Sequence, residues 1–455
     1  MWFLGFAQLE AANGLLVKNK GSGFSALHHR NFRLYLTGQV VSQAGTWMQT
    51  VAMGWLVLKV TGSGGMLGLV SAAQFAPTLL FGAFAGTLAD RHSRWRMLQI
   101  TQVLAATIAT ALGVMVATDT ISVWSLFALA AAFGTVNAFD MPIRSSFVYE
   151  LVGPDDITSA VGIGSTANNI ARIFGPAVAG VLIAAFGLAV PFLVNGVSFL
   201  GISIALLLMR RSEFVPKTPV KREKGQIREG VKVVWADPRL RTPMLMTVVI
   251  GMLAYENQIA LPLFAKFTFH REATGYGVLS SMMGVGSVAG GLLIARFGRA
   301  THRRMGFAAT FLGITMLVAA FMPTFWTMAV ALLFVGSGSV AFITMNSATL
   351  QLTSPVSVRG RVMALYITAI IGTTPIGGPV IGWIGQNIDP RATYITGGLA
   401  CLITAAVAWP SLRRSTEEVM PEAEEQAIHR SAIIDAEALV GDLDSEIPIN
   451  LPTER

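Results

Sequence analysis

The amino-acid sequence predicts an all-α integral membrane protein of twelve transmembrane helices arranged as two six-helix pseudo-repeats. Three observations carry this prediction. Apolar residues make up 53% of the 455 and arrive in blocks, while only 13% are charged, against about 25% in a soluble domain. The basic residues fall almost entirely on one set of connections. The two halves of the chain also repeat one another at an offset of about 205 residues.

A spanning helix takes about 20 residues. Long apolar runs bounded by polar or Gly/Pro breaks place spans 1–6 at 34–58, 66–89, 97–117, 122–142, 160–186 and 189–209. Spans 7–12 follow at 241–265, 276–297, 304–322, 325–348, 362–386 and 392–412. The first bundle is therefore 34–209 and the second 241–412, with 1–33 preceding them, a linker at 210–240 and a tail at 413–455.

Lys and Arg favour cytoplasmic loops. With the N-terminus inside, 28 of the 33 basic residues lie on inside connections, Arg144 after span 4 among them, and four lie outside; Arg172 alone falls within a span. Both termini are thus expected in the cytoplasm. In the linker, Ile227, Val231, Val234 and Trp235 recur at helical spacing between charges, which predicts a short helix on the membrane surface. Residues 416–455 hold eleven acids and two arginines, the composition of a solvated, unstructured tail. The net charge of +8 thus divides into a strongly basic membrane part and an acidic tail. It reports orientation and calls for no nucleic-acid partner.

Composition also excludes several chemistries. One cysteine, Cys401, allows no disulfide framework and no thiolate metal site, and it reads as a packed, inert thiol. The six histidines (His28, His29, His92, His270, His302 and His429) all fall outside the apolar runs, so no intramembrane metal site or histidine catalysis is expected. Gly-Lys never occurs, which removes a Walker-type phosphate loop. No cofactor is expected, and an integral membrane enzyme, which would need clustered His, Asp or Ser at one interface, is disfavoured. The N-terminus lacks a basic region before its apolar residues, so a cleaved signal peptide is not expected.

The repeat is the sharpest signal. Gly86-Thr-Leu88-Ala-Asp90-Arg91-His-Ser93-Arg94 after span 2 aligns with Gly291-Leu-Leu293-Ile-Ala295-Arg296-Phe-Gly298-Arg299 after span 8. Gly175-Pro176 in span 5 likewise aligns with Gly378-Pro379 in span 11. Two six-span halves joined by a basic linker are an architecture of secondary transporters, whose parallel halves enclose a midplane site.

The segment Gly86-Thr-Leu-Ala-Asp-Arg-His-Ser-Arg resembles the loop 2–3 signature of the major facilitator superfamily, with Ser93 and Trp95 where a glycine and a basic residue are usual. Gly162, Ala171, Gly175, Pro176, Ala179 and Gly180 resemble that superfamily's exporter signature in span 5. Arg30-Asn-Phe-Arg-Leu-Tyr, Ser42-Gln-Ala-Gly-Thr-Trp47-Met-Gln49, Thr61-Gly-Ser63, Asp140-Met-Pro142-Ile-Arg144 and Gly153-Pro-Asp-Asp156 are similar to its enterobactin-exporter-like branch, the transmembrane secretion effectors. The likeness runs over residues 30–412. It implies a proton-coupled exporter of siderophores, macrolides or related compounds, working as a monomer in the cytoplasmic (inner) membrane with a small molecule and protons as its partners. It also implies that Asp90, with Gly86, Arg91 and Arg94, latches the cytoplasmic side, where a carboxylate gains from a helix N-terminus and the arginines add charge-assisted hydrogen bonds. The span 4 arginine of many proton antiporters is absent.

Ionisable groups inside a bilayer are costly and functional by default. Three stand out: Asp140 late in span 4, Arg172 in span 5 and Glu256 in span 7. A carboxyl deprived of water can carry protons and a nearby arginine can make it trade them for substrate; the structural alternative is an Asp140–Arg172 ion pair joining spans 4 and 5. Gly82-xxx-Gly86 and Gly286-xxx-Gly290 read as helix contacts. Gln43, Trp47, Gln49, Gln74, Asn137, Asn168, Asn169, Tyr255, Gln258 and Asn346 are polar or aromatic groups within spans, each able to line a cavity or to bond another helix. Proton-linked efflux of an amphipathic small molecule is the leading expectation. Uptake of a metabolite, or a lipid or lysolipid flippase of the same fold, are the alternatives.

Overall fold

The computed structural model describes residues 24–215, 226–297, 300–355 and 358–414; inside its helices, the side chains of 83–87, 89–91, 226–227 and 297 are not described. Among the described residues the regular structure is helical, and ten helices are long and apolar enough to cross a membrane. One of them, Val123–Phe186, has 64 residues. At 1.5 Å per residue it would be roughly 96 Å long, about three times the hydrocarbon thickness. It turns back at Gly153, whose φ of 74° and ψ of −175° are not helical and suit only a residue without a Cβ; Pro154 follows. The helix therefore supplies spans 4 and 5. Arg30–Thr61, span 1, is not one of the ten because its length is interrupted by polar residues such as Gln39, Gln43, Gln49 and Thr50. Counting the bent helix twice and adding span 1 gives twelve.

The remaining spans of the first half are Gly64–Arg91, Arg94–Ala117 and Ala189–Leu207. Span 4 begins at a capping box, in which Ser122 accepts from Ser125 N and the Ser125 hydroxyl accepts from the Ser122 backbone N–H, satisfying two first-turn donors. In the second half, span 7 breaks at Tyr255 and Glu256, between Pro238–Ala254 and Asn257–Leu263, and ends in a π-helical turn, Phe264–Thr268. Spans 8–10 are Ala273–Phe297, His302–Ala320 and Phe325–Thr353. Span 11 breaks at Thr373, between Arg359–Gly372 and Thr374–Asn387, where Pro375 has no N–H to continue the ladder. Span 12 is Pro390–Arg414.

Successive spans run in opposite directions, so the bundle has two ends. The linker end carries connections 2–3, 4–5, 8–9 and 10–11 and the central linker; the distal end carries the other six. Within the linker, Gln226–Ala236 is the expected helix, but one face docks on protein. Val234 is buried in a cluster with Leu240, Leu350, Val362, Met363 and Tyr366. Glu229 pairs with Arg361 Nη1 at 2.6 Å. Only Val231 and Trp235 of the predicted surface face are exposed; the side chain of Ile227, like the tail from 415 onward, lies outside the described residues.

Candidate functional site

The two halves meet at two helix crossings built from small residues. In one, span 2 crosses span 11: a Cβ on Gly68 would collide with the carbonyl of Gly378, and one on Gly64 would stand 2.8 Å from the Gly382 oxygen. In the other, span 5 crosses span 8: a Cβ on Gly277 would stand 2.5 Å from the Pro176 carbonyl oxygen, and one on Gly180 would stand 3.0 Å from Thr274 Cα. Backbones this close need glycine. The repeated Gly175-Pro176 and Gly378-Pro379 pairs therefore sit at equivalent crossings. Lys266 Nζ donates to the Leu58 carbonyl at 2.7 Å and Ser63 Oγ to Gln386 Oε1 at 2.6 Å, so the distal end is sealed between the halves.

Above this seal lies a cavity of about 610 Å³. Its walls come from both halves and continue to the linker end along Phe32 and Tyr35 of span 1, Ser145 and Tyr149 of span 4, and Ile157 and Ala160 of span 5. Its described lining thus extends further toward the linker end than toward the seal. Six of the sequence candidates line it: Gln43, Trp47, Gln74, Asn137, Tyr255 and Gln258. Tyr255 is fixed by its hydroxyl donating to the Ser339 carbonyl at 2.6 Å.

Of the ten polar and aromatic candidates, Gln49, Asn168, Asn169 and Asn346 do not line it. Asn168 is buried, and its Oδ1 accepts from Gln43 Nε2 at 2.8 Å, tying span 5 to span 1. Asn346 is fully buried and donates to Thr247 Oγ1 at 2.6 Å, tying span 10 to span 7. Gln49 behaves likewise, accepting from Asn195 Nδ2 at 2.7 Å. In each case the amide faces a neighbouring helix, where an unpaired polar group would be costly.

The three ionisable candidates occupy different settings. Asp140 lines the cavity but does not pair with Arg172. Its Oδ1 accepts from Thr101 Oγ1 and Gln102 Nε2, both at 2.7 Å, and its Oδ2 from Arg144 Nε at 2.8 Å and Nη2 at 2.7 Å. Arg144 also donates to Gln39 Oε1. The expected position of Arg144 after span 4 is thus corrected. The helix continues through Pro142, which brings Arg144 into the cavity wall one turn beyond Asp140. That i,i+4 spacing was the available signal in the sequence.

Arg172 lines the cavity with no carboxylate within 4.0 Å among the described residues, and its Nε is enclosed without a hydrogen-bond partner. Glu256 sits at the break in span 7, buried, with Oε1 unpartnered. It stands behind the cavity wall, between the lining residues Tyr255 and Asn257, and within reach of Thr374 at the break in span 11. The two breaks adjoin: a Cβ on Gly251 would stand 3.0 Å from Thr373 Oγ1.

The side chains of Gly86, Asp90 and Arg91 lie outside the described residues. Arg94 is buried and pairs with Glu150 at 2.5 Å, across to the end of span 4. Trp95 donates to the Leu206 carbonyl at 2.8 Å, and the Arg211 guanidinium stacks over its ring at 3.4 Å. In span 5, a Cβ on Gly175 would stand 2.5 Å from Trp47 Cβ of span 1, Ala171 is buried, and Pro176 and Gly180 form the crossing with span 8; among the described residues a Cβ on Gly162 would meet nothing within 4 Å. Among the described residues a Cβ on Gly82 would also meet nothing within 4 Å, whereas Cβ atoms on Gly286 and Gly290 would collide with Leu333 and Ser337 of span 10.

A family model described as transmembrane secretion effector matches residues 21–439. The multidrug efflux pump Tap of Mycolicibacterium fortuitum is 27% identical over 386 residues, covering 82% of this chain and 94% of that protein. The staphyloferrin A transporter of Staphylococcus aureus (strain NCTC 8325 / PS 47) is 26% identical over 258 residues, 55% of this chain and 64% of that protein. Among solved structures, a bacterial homologue of the iron transporter ferroportin in an inward-facing state matches with a TM-score of 0.66 at 17% identity, covering 84% of this chain and 98% of that one. The nucleoside transporter NupG matches with a TM-score of 0.65 at 15% identity over 84% and 99%. These two likenesses concern the fold alone.

Proposed function

The chain belongs to the transmembrane secretion effector family of multi-pass membrane transporters, and on that premise we propose that it exports an amphipathic small molecule across the inner membrane by proton-coupled alternating access. The observation that carries this reading is the cavity between the halves, whose lining extends toward the linker end and which two glycine crossings close off from the distal end. A volume of about 610 Å³ suits a drug-sized ligand. Its lining mixes aromatic faces with amides and hydroxyls, which favours a partly apolar substrate. The linker end faces the cytoplasm, because by sequence most of the 33 basic residues belong to the connections and terminal segments on that side, even with Arg144 in the cavity wall. Substrate then enters from the cytoplasm and leaves when the crossings of spans 2 with 11 and 5 with 8 part.

Glu256 is the proton carrier in this reading. A buried carboxylate with an unpartnered oxygen, at adjoining breaks in spans 7 and 11, stands where loading or unloading a proton can bias two half-helices against each other. The relative described as a multidrug efflux pump supports outward transport, and the one described as a staphyloferrin A transporter supports a small organic compound as cargo.

The test is transport in proteoliposomes under an imposed proton gradient, against a panel of siderophores, antibiotics and lysolipids. The expected result is movement of at least one compound against its own gradient, abolished by collapsing the proton gradient. Movement of none, with or without a gradient, overturns the reading; gradient-driven accumulation in the opposite sense makes the protein an uptake carrier.

A further inference from the structure

We propose that the cavity selects amphipathic anions and that Arg172 is the residue that takes the anionic group; this rests on the reading of the cavity as the substrate site. Among the described residues, three charged side chains line the cavity: Asp140, Arg144 and Arg172. The first two cancel. Both oxygens of Asp140 are occupied, Oδ2 by Arg144 and Oδ1 by Thr101 and Gln102. Arg144 spends its remaining reach on Gln39.

Arg172 has no such compensation. No carboxylate lies within 4.0 Å of it among the described residues, and its Nε is enclosed and unbonded. Glu256, the other buried acid of this region, is not among the residues that line the cavity. The lining therefore carries one net positive charge, on one guanidinium, at membrane depth.

An uncompensated cation in that setting is costly to keep, and a bound anion offsets the cost. Guanidinium presents a rigid fork matched to carboxylate or sulfonate, with two parallel hydrogen bonds. Trp47, Phe75, Phe133 and Tyr276 line the same cavity and offer faces for an aromatic or otherwise apolar body. The ligand class that satisfies both is an organic acid with a large apolar part. A cationic amphiphile of the same size would meet Arg172 as a like charge, with no free carboxylate in the lining to receive it.

The experiment uses the full chain in lipid nanodiscs with Ser280→Cys, a lining position, as reporter; the native Cys401 is buried. Alkylation by N-ethylmaleimide, a neutral reagent, is followed while the protein is protected by 2-naphthalenesulfonate, 2-naphthol or 2-naphthyltrimethylammonium. The anion is expected to protect at concentrations at least tenfold below the cation. Arg172→Gln is expected to bring the two together while leaving protection by 2-naphthol unchanged, and Arg172→Lys to keep part of the preference. Equal protection by the two ions in the protein with native Arg172, or a preference for the cation, overturns the proposal whatever the variants do. So does an unaltered preference in Arg172→Gln. No transport step enters this assay: a cavity that sorts ligands by charge but moves nothing in proteoliposomes would defeat the transport reading alone.

Discussion

Asp140 and Arg144, one helical turn apart in span 4, form an ion pair in which Nε and Nη2 both donate to Oδ2, at 2.8 and 2.7 Å, while Thr101 and Gln102 occupy Oδ1 from span 3. The pair closes the charge account of span 4 and ties it to two neighbouring helices, span 3 through these bonds and span 1 through Gln39.

Removing one member should therefore cost more than removing both. Arg144→Met leaves a buried carboxylate with only neutral donors and is expected to destabilise by about 3 kcal/mol, in the range for breaking a buried pair. The double variant Asp140→Asn with Arg144→Gln should recover at least half of that, because no charge is left uncompensated. Thermal unfolding of the purified protein reads this directly, and a double variant as unstable as the single would show that charge pairing is not what matters here.

The distal seal makes a second prediction. Gly68→Ala places a methyl group against the Gly378 carbonyl, and Gly277→Ala places one against that of Pro176. Backbone cannot yield as a flexible side chain can, so either change should push the halves apart at that end. With Thr50→Cys as reporter in the cavity wall, labelling by a membrane-impermeant reagent from the distal side should rise at least threefold. Unchanged labelling in both variants would mean that the seal lies elsewhere.

For Glu256, the position behind the wall separates two roles. Glu256→Gln should preserve ligand protection in the cavity and substrate exchange at zero gradient, because the side chain does not line the site. Gradient-driven transport should disappear. Full gradient-driven export by Glu256→Gln would remove this residue from the coupling mechanism.

The linker helix offers a comparison of anchors. Glu229–Arg361 is half exposed and should contribute at most about 1 kcal/mol. Val234 is buried, and Val234→Ala should cost about 2 kcal/mol from lost burial and the space left behind. Tryptic cleavage in the linker should accelerate markedly in Val234→Ala and little in Arg361→Gln; the reverse order would make the ion pair the main clasp.

The sequence by itself determined the helical spans, because burying about 20 apolar residues per crossing is a requirement written locally along the chain. The repeat was legible for a related reason: glycine and proline are demanded wherever backbones touch, and Gly175-Pro176 and Gly378-Pro379 turned out to mark two such crossings. Gly153 stood out in the sequence only within the family resemblance, and the structure shows that the chain turns there between spans 4 and 5. Only the tertiary structure decided which polar groups face the cavity. Gln43 and Asn168 are both amides within spans, and one lines the cavity while the other is spent on bonding it. That outcome depends on the rotation of each helix about its axis and on the identity of its neighbour, which no stretch of one helix encodes. The same holds for charge. Asp140, Arg144 and Arg172 are three ionisable residues at membrane depth, and packing alone made two of them a closed pair and left the third to face the cavity without a partner.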